Sequence, residues 1–304
     1  MHRTAYTLLL LTTLCWAGNA IAGKLAVGHV SPMVLATARW GLALPILFLI
    51  SRKHLPADLP LLRRHLPFLL VIATLGFTIF SVFMYCALLY TSAINVSIEQ
   101  GGMPLFVFLA TFVLFRTRAS LAQIAGFALS LMGVLLTTLH GDIWRLFSLH
   151  VNFGDALMLV AVIAYGFYTA ALRQKPDVHW TSLMTALCVG AMASAIPFLI
   201  GEWLMGGMIL PDAKGWAIIG FVVLFPSILA QIFYIRAVEL IGANRAGLFI
   251  NFLPLWGALL SVLIVGDAFH AYHAVALIMV LGGVLIAELS SRRAAARELE
   301  VEVR

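Results

Sequence analysis

Charged side chains are scarce in this chain of 304 residues. Asp, Glu, Lys and Arg together make up 11% of the sequence, whereas hydrophobic residues make up 62%. A soluble domain is about one quarter charged and about one half apolar. The shortage of charge therefore excludes an ordinary soluble domain and indicates a protein embedded in lipid.

Cysteines and the signatures of catalysis are scarce as well. The three cysteines, Cys15, Cys86 and Cys188, all fall within apolar runs, which argues against a disulfide framework and against a reactive thiol. The sequence has no zincin, nucleophile-elbow, Walker A or dinucleotide signature. His270 and His273 have a spacing that can bind a metal, but no acid or cysteine cluster accompanies them in the sequence. We therefore expect no catalytic residue, no metal site and no cofactor, and predict that the protein is not an enzyme.

Long apolar runs dominate what is present. Each is about 20 residues long, which is enough to cross a bilayer as an α-helix. None alternates in polarity every second residue, as the strands of a membrane β-barrel do. We therefore predict an all-α polytopic membrane protein with ten transmembrane helices and the lipid bilayer as its surroundings. The ten runs cover approximately residues 6–23, 32–50, 67–89, 93–115, 121–139, 154–172, 180–200, 216–235, 245–265 and 271–289.

The first run also has features of a signal peptide, because Arg3 precedes it and small residues follow its apolar centre. A comparison within the chain favours a transmembrane helix instead. Trp16 precedes Lys24 by eight residues, and Tyr165 precedes Arg173 by the same interval. A cleaved leader has no reason to match a segment from the middle of the mature protein.

The distribution of the net charge of +6 indicates the orientation in the membrane. If the N-terminus is cytoplasmic, fifteen of the nineteen Lys and Arg residues lie on the inner side and three on the outer side, and Arg39 lies within a run. Basic residues in short loops mark the cytoplasmic side. We therefore predict that both termini are cytoplasmic and expect no nucleic-acid partner. The basic tail, 291–304, fits the same signal, and binding to anionic lipid is a second interpretation of it.

Two segments about 150 residues apart share one order of features. Residues 85–95 begin with Tyr, end with Asn and precede Gly101-Gly102-Met103-Pro104. Residues 234–244 also begin with Tyr, end with Asn and precede Asn251-Phe252-Leu253-Pro254. Interrupted hydrophobic segments at corresponding positions of two halves indicate the binding site of a transporter.

The ten runs divide into two halves of five. Because five is odd, the second half enters the membrane from the opposite side, so the repeats are predicted to be inverted. The predicted organisation is a first five-helix repeat at 1–140, a linker at 141–152, a second inverted five-helix repeat at 153–290 and a cytoplasmic tail at 291–304.

Polar side chains recur on one helical face of the third run and of its counterpart, the eighth. Their steps of three and four residues keep them on the same side of a helix. We predict that both faces line a substrate cavity, although Ser and Thr can also bond to their own helix. The two sets are Thr74, Thr78, Ser81 and Tyr85 in the third run and Ser227, Gln231 and Tyr234 in the eighth, and of these all but Thr74 are candidate substrate contacts.

Aromatic residues occur inside the first and sixth runs rather than at the membrane interfaces, where Trp and Tyr usually collect. Trp16 shares a helical face with Asn19, and the corresponding residues of the second half are Tyr165 and Tyr168. Aromatic walls with a few polar tips suit an amphipathic ligand. These four residues are therefore candidate substrate contacts, and ordinary packing between helices is the alternative.

The fourth and ninth runs are interrupted. Pro104 and Pro254 each remove a backbone donor, Gly101 and Gly102 add conformational freedom in the first case, and Asn251 lies beside the second interruption. A static kink is one interpretation, because membrane helices tolerate proline. The other is that the freed backbone binds substrate or moves during gating.

Ionisable residues within a membrane usually face a cavity or a partner. Arg39 in the second run lies at a similar depth to Glu99 and Gln100 in the fourth, counted from the outer side. Three hypotheses follow. Arg39 and Glu99 form a salt bridge, or they contact the carboxylate and ammonium groups of a zwitterion, or Glu99 carries protons.

Small residues recur at every fourth position in several runs, for example at Ala122, Gly126 and Ser130. Such residues let helix backbones approach closely in lipid. Packing within one chain is the simpler interpretation, and the interface of a homodimer is the other.

These features together resemble the drug/metabolite transporter superfamily, and specifically its EamA-domain branch. The resemblance is carried by ten spans, a duplicated five-helix unit, a late proline in each half, and an aromatic-glycine signature near the start of each half, at Trp16-Ala17-Gly18 and Tyr165-Gly166. It covers essentially the whole chain. Within the branch, the sequence is similar to the YddG-type exporters of aromatic amino acids.

The resemblance implies efflux across the bacterial inner membrane by alternating access, with the site in a central cavity near mid-membrane. One feature departs from part of the superfamily. Its small four-helix exporters use an acid in the first helix, whereas this chain has Asn19 there and Tyr168 at the corresponding position. Uniport, or coupling through Glu99, therefore fits better than a proton-coupled cation antiport of that kind.

We predict an exporter of aromatic and hydrophobic amino acids and related amphipathic metabolites. A broad-specificity exporter of drugs or lipid-linked metabolites is the alternative within transport. A membrane-embedded enzyme or a receptor is the alternative from another class. An enzyme should show clustered His and acidic residues within the runs, and a receptor has less reason to be an inverted duplication.

Overall fold

The computed structural model describes residues 2–116, 120–142, 152–241 and 249–302. All regular structure within these ranges is helical. Most of the predicted linker and the start of the ninth run, with Asn244 and Arg245, lie outside the described residues. The helices are α1 (His2–Leu25), α2 (Pro32–Ser51), α3 (Leu55–Arg64), α4 (Leu66–Tyr90), α5 (Ala93–Gly101), α6 (Met103–Phe115), α7 (Leu121–Thr138), α8 (Phe153–Ala171), α9 (Trp180–Leu204), α10 (Ala213–Val222, Val223–Leu229 and Ala230–Ile241, continuous), α11 (Phe249–Val265) and α12 (Ala271–Glu302).

The predicted all-helical, multi-pass class is confirmed, but the number of ten crossings is not. Six helices in the described ranges are long and apolar enough to cross a bilayer, and α5 with α6 makes a seventh if this pair, bent by 43°, counts as one span. Three shorter apolar helices fall on the other predicted runs, at Leu121–Thr137, Phe249–Val265 and Ala271–Ala287. The helix α12 also continues to Glu302 and so includes most of the predicted tail.

Polar residues at the helix starts fix several boundaries. Ser92 accepts a hydrogen bond from the amide of Asn95 at the start of α5, and Asn152 accepts one from the amide of Gly154 at the start of α8. Asp212 caps α10 in the same way, and each cap satisfies an amide that the first helical turn leaves unpaired. The amide of Gly215 and the ring of His29 donate to Asp212, and these bonds hold the pKa of its carboxyl below the usual value.

The packing of the helices follows the matching of the two halves. The corresponding helices α2 and α9 pack together, and so do α7 and α12 and the interrupted segments α5 and α11. The helix α1 packs against α10 and α11, and its counterpart α8 packs against α4 and α6. The first three contacts each join a helix to its own counterpart in the other half. The contacts of α1 with α10 and α11 likewise match the contacts of α8 with α4 and α6.

Small residues allow the closest of these contacts. A methyl group at Gly126 would lie 2.5 Å from the carbonyl oxygen of Gly283, and the Ser130 hydroxyl donates to the carbonyl of Val280 at 3.0 Å. Gly126 and Ser130 therefore serve the packing of α7 on α12 within one chain. Of the two interpretations of the small-residue pattern, this contact agrees with packing within one chain.

Candidate functional site

A buried arginine lies at the centre of the candidate site. Arg39 of α2 is 7% exposed. Its Nε donates to the Ser227 hydroxyl of α10 at 2.8 Å, and its Nη1 donates to the Tyr85 hydroxyl of α4 at 3.2 Å. The Tyr85 hydroxyl donates in turn to Asn19 Oδ1 of α1 at 2.9 Å. Asn19, Arg39, Tyr85 and Ser227 form what we call the Arg39 network, and all four were predicted from the sequence.

The surroundings of Arg39 explain how a charge is tolerated here. Hydrogen bonds to neutral hydroxyls and a position 4.5 Å from the ring centre of Trp40 offset part of the cost of removing the guanidinium from water. Only two of its five N–H donors have partners among the described residues. The guanidinium therefore retains donors for an anionic group, and a carboxylate matches its planar geometry.

The network extends towards α5 through a methionine. The Asn19 amide lies 3.8 Å from Met84 Sδ, and the Gln100 amide lies 3.9 Å from the same sulfur. Sulfur is a weak acceptor, so both bonds are weak. They nevertheless place Gln100 in the same buried polar region as the Arg39 network.

Two predicted aromatic residues from opposite halves meet beside this region. The ring centres of Trp16 on α1 and Tyr234 on α10 are 5.5 Å apart. Both side chains are half-buried. The pair offers a wide apolar surface with two polar tips, which suits a flat, amphipathic ligand.

A second aromatic group runs from α8 to α2. Tyr165 lies 5.3 Å from Tyr168 between ring centres, Tyr168 lies 5.6 Å from Phe77, and Phe77 lies 4.6 Å from Trp40. The guanidinium of Arg39 lies over the ring of Trp40, so the predicted residues Tyr165 and Tyr168 connect through rings to the polar centre.

A π-helical turn in each half adjoins these residues. Thr74–Ile79 interrupts α4, and Val223–Leu229, which contains Ser227, interrupts α10 at the corresponding position. A methyl group at Gly76 would overlap the ring of Tyr168, so the first turn has glycine where α8 presses closest. Such π-bulges occur frequently at functional sites. Sequence reasoning missed both turns.

In the part of the chain that the structure describes, the remaining polar residues of the two predicted helical faces do not bond to the Arg39 network. The Thr78 hydroxyl contacts the carbonyl of Ala191 at 3.0 Å and the Ser194 hydroxyl at 2.6 Å, so it joins α4 to α9 instead of facing the Arg39 network. Ser81 is fully buried, and its hydroxyl has no hydrogen-bond partner among the described residues. Gln231 is half-buried on α10.

Arg39 and Glu99 do not form an ion pair with each other among the described contacts. Arg39 contacts Ser227 and Tyr85, and Glu99 is fully buried on α5. The salt-bridge hypothesis therefore does not describe this structure. The contact of Arg39 with a zwitterion and the transport of protons by Glu99 stay predictions.

The interruptions of the two halves meet. After Gly101 the chain bends by 43° at Gly102, and Pro104 lies in the first turn of α6. Pro254 has the corresponding place, after a short 3-10 turn that contains Asn251. A methyl group at Gly101 would lie 2.9 Å from Cγ of Pro254, so the two breaks are in direct contact.

Sequence reasoning missed a polar cluster at one end of the bundle. We call this the Lys24 end, where α1 and α4 end and α5, α8 and α12 begin. Lys24 Nζ donates to the carbonyls of Leu88 at 2.8 Å and Thr91 at 2.7 Å. Asp267, just after α11, accepts the amide of Ala93 at 2.9 Å and the Ser261 hydroxyl.

The same cluster contains histidines. His273 Nε2 lies 3.1 Å from Asn95 Oδ1, and Asn95 Nδ2 lies 3.5 Å from Asp155 Oδ1. His140 Nδ1 lies 3.8 Å from Asp155 Oδ2. The sequence places these residues near run ends, but no local spacing brings His140, Asp155 and His273 together. Four helices do so only in the folded bundle.

A cavity of about 590 Å³ also opens at the Lys24 end, between the start of α2 and the ends of α4 and α9. Its wall is mostly apolar and includes Cys86 and Glu202. Glu202 accepts hydrogen bonds from the Ser31 hydroxyl at 2.5 Å and from the amide of Met33 at 3.3 Å. An adjoining void of only about 10 Å³ reaches Tyr85, so this cavity approaches the Arg39 network without opening into it.

Comparison with known proteins places this arrangement in a family. The model of the EamA-like transporter family matches residues 3–139 and again residues 152–289. The chain belongs to this family. The resemblance predicted from the sequence is confirmed, and the protein is a multi-pass membrane transporter.

Relatives of this EamA-family transporter include two uncharacterised transporters. YyaM of Bacillus subtilis is 23% identical, over 94% of each chain. A transporter of Archaeoglobus fulgidus is 28% identical, over 94% of this chain and 98% of its own. A protein of Salmonella typhimurium named a probable amino-acid metabolite efflux pump is 26% identical, over 68% of this chain and 66% of its own.

A solved crystal structure has the same fold. Its TM-score is 0.65 at 19% identity, over 96% of this chain and all of that chain. None of the three relatives carries the name of an enzyme, and the family is one of transporters. The prediction of a transport function is therefore confirmed at the level of the family.

Proposed function

We propose that this transporter exports aromatic and large apolar amino acids, together with related amphipathic metabolites, across the bacterial inner membrane. The observation that carries the proposal is the position of Arg39, a buried guanidinium that keeps donors for a ligand, beside the ring of Trp40. The guanidinium matches a substrate carboxylate, and the aromatic groups match an apolar side chain.

The architecture supports transport by alternating access. Two matched halves pack face to face, and their interrupted helices touch at Gly101 and Pro254. Interrupted helices at corresponding positions form the substrate sites of transporters built from inverted repeats. With ten crossings and cytoplasmic termini, the Lys24 end faces outward and the opposite end faces the cytoplasm.

The charge of the site argues against an exporter of lipophilic cations. A buried guanidinium repels a cationic drug, whereas it attracts the carboxylate of a zwitterion. The name of the Salmonella typhimurium relative agrees with amino-acid metabolites as substrates. An exporter of lipid-linked metabolites is the alternative that an anionic group on the lipid would still allow.

Transport by the purified protein tests this proposal. Proteoliposomes should move Phe and Trp faster than Thr, because Thr lacks the apolar surface that the aromatic residues would contact. They should not move a lipophilic cation above the rate of empty liposomes. Movement of the cation with no movement of any amino acid would contradict the proposal. A transporter with Arg52→Met, which changes an exposed arginine of the same chain, is the matched control for variants of Arg39.

A further inference from the structure

Both ring nitrogens of His273 are engaged. Nδ1 lies 3.0 Å from the backbone nitrogen of His270, and Nε2 lies 3.1 Å from Asn95 Oδ1. A backbone N–H can only donate, so Nδ1 must accept and carries no proton. An amide oxygen can only accept, so Nε2 must donate and carries one. Only the neutral imidazole with its proton on Nε2 satisfies both bonds.

The orientation of the Asn95 amide follows from its other contacts. Its Nδ2 lies 3.2 Å from the Thr91 hydroxyl and 3.5 Å from Asp155 Oδ1. The reversed amide would place its oxygen against the Asp155 carboxylate, where both atoms are acceptors. The oxygen of Asn95 therefore faces His273, as the tautomer requires.

A second proton on His273 breaks this arrangement. It would sit on Nδ1 and face the N–H of His270, so two donors would oppose each other. The ring would also become a cation while it is 2% exposed. Uptake of a proton therefore costs the bond to His270 and favours a conformation in which the ring reaches water.

If the charged ring leaves its buried place for water, it also gives up its bond to Asn95, and that bond joins the two halves. His273 lies on α12 and Asn95 on α5, and Asn95 in turn reaches Asp155 on α8. The nearby bonds of Asp267 to the start of α5 and of Lys24 to the end of α4 close the same end of the bundle. This set of contacts holds α1, α4, α5, α8, α11 and α12 together.

Other ionisable groups surround His273. His270 lies on the same segment, with 5.6 Å between the ring centres, and Tyr272 lies 4.1 Å away. His140 from the end of α7 and Asp267 from the end of α11 act on His273 electrostatically. The charge of Asp267 favours a proton on His273, and charged forms of His140 or His270 oppose it.

Water reaches this cluster at His140. Its side chain is 30% exposed, whereas that of Asp155 is fully buried. His140 Nε2 also lies 3.5 Å from Asn95 Nδ2. His270, whose backbone bonds to His273, is exposed, so water at the Lys24 end reaches the cluster at both histidines.

We propose that His273 is a proton-binding site that closes the Lys24 end while it is neutral and opens that end when it is protonated. The inference rests on the proposed function for its meaning, because opening this end to a more acidic exterior would expose the substrate site outward. We call the contacts of His273 with His270 and Asn95 the His273 latch. Their geometry does not depend on the identity of the substrate.

The accessibility of a thiol placed within the Lys24 end tests whether the His273 latch opens in the full-length protein. Val96 is fully buried one residue beyond Asn95, and Cys is close to Val in size. Val96→Cys, with Cys15, Cys86 and Cys188 replaced by Ala, is labelled with a membrane-impermeant maleimide at about pH 7.5 and about pH 5.5, which bracket the ordinary titration of His. The same labelling is measured after adding His273→Gln, since Gln offers one donor and one acceptor and does not titrate.

The labelling rate of the protein with His273 is divided by the rate of the His273→Gln variant at the same pH. This ratio cancels the effect of pH on the reactivity of the thiol itself. We expect this ratio, the rate with His273 intact divided by the rate with His273→Gln, to be near one at about pH 7.5. It should rise several-fold at about pH 5.5, by at most about tenfold per pH unit for one proton. Adding His270→Gln instead is the matched control, because only the backbone of His270 bonds to His273, and it should keep the response to acid. A ratio that is equal at both pH values would overturn the proposal.

A second variant and a separate transport measurement allow the labelling result to be interpreted. If His273→Gln does not fold, His273→Asn supplies the same amide on a shorter side chain, and the expected ratios are the same. Amino-acid transport is measured separately in proteoliposomes. An unchanged ratio in a protein that transports amino acids contradicts the latch alone, and an acid-dependent ratio in a protein that moves no amino acid contradicts the proposed function alone.

Discussion

At the scale of single residues, the candidate site depends on how a charge is held inside an apolar bundle. Arg39 bonds to two hydroxyls and lies over an aromatic ring, and the Tyr85 hydroxyl passes the network on to Asn19. The Tyr85 hydroxyl donates one bond and accepts another, so it is the link whose removal affects two other groups.

Replacing Tyr85 by Phe should destabilise the protein. The change leaves Arg39 Nη1 and Asn19 Oδ1 without these bonds, and a buried polar group that loses its partner costs about 1–3 kcal/mol. The thermal unfolding temperature in detergent should fall accordingly. Tyr90→Phe is the control, because Tyr90 is 56% exposed at the end of the same helix. Equal unfolding temperatures for the two variants would show that the network contributes nothing.

The sequence predicted these residues in part. Spacing of three and four gave the face of α4 that carries Tyr85, and it also gave Thr78, which bonds to α9 instead. Periodicity identifies a face of a helix, but a face about 100° wide can contact two neighbours. A salt bridge with Glu99 was one of three hypotheses for Arg39, and the structure gives Arg39 hydroxyls from helices that are distant in the chain.

At the scale of helices, the interrupted segments α5–α6 and α11 touch each other across the two halves. Gly101 lies against Pro254 and Val280, and there is no room for a side chain at this position. The prolines were predicted from the sequence, but their contact required knowledge of how α5 packs on α11.

Adding one methyl group at this contact should impair transport. In Gly101→Ala, the new carbon would lie 2.9 Å from Cγ of Pro254, so the two interrupted helices must separate. Initial transport rates should fall, and the unfolding temperature should fall as well, since overpacking costs about 1–3 kcal/mol. In Gly220→Ala no heavy atom lies within 4 Å of the new methyl group, so this control should keep full transport. Normal transport by Gly101→Ala would mean that the contact is not needed.

At the scale of the whole molecule, the chain consists of two matched halves, and we predict that they have opposite orientations in the membrane. The family model matches the two halves separately, and the contacts of α1 with α10 and α11 have counterparts in those of α8 with α4 and α6. The sequence allowed the halves to be matched because Tyr, Asn and Pro recur at intervals of 149 or 150 residues. It did not reveal the Lys24 end, because that cluster unites residues from seven separate segments of the chain.

The orientation can be tested directly. Asp142 lies just after α7, at the start of the predicted linker, and five crossings would place it outside the cell. Asp142→Cys, in a chain without its native cysteines, should react in intact cells with a membrane-impermeant thiol reagent. Arg52→Cys, in the predicted first cytoplasmic loop, should react only after the cells are opened. Labelling of Asp142→Cys only in opened cells would show that the halves are not inverted.

The most direct measurement of the central claim pairs Arg39 with the substrate carboxylate. Transport of Phe and of phenethylamine, which lacks the carboxylate, is measured for the unaltered protein, Arg39→Met and the control Arg52→Met. If Arg39 binds the carboxylate, Arg39→Met should slow Phe transport by about tenfold or more, which corresponds to about 1.4 kcal/mol. Phenethylamine, a cation that Arg39 repels, should move no more slowly in Arg39→Met than in the unaltered protein. An equal loss for both compounds would contradict the assignment of the Arg39 network as the carboxylate site.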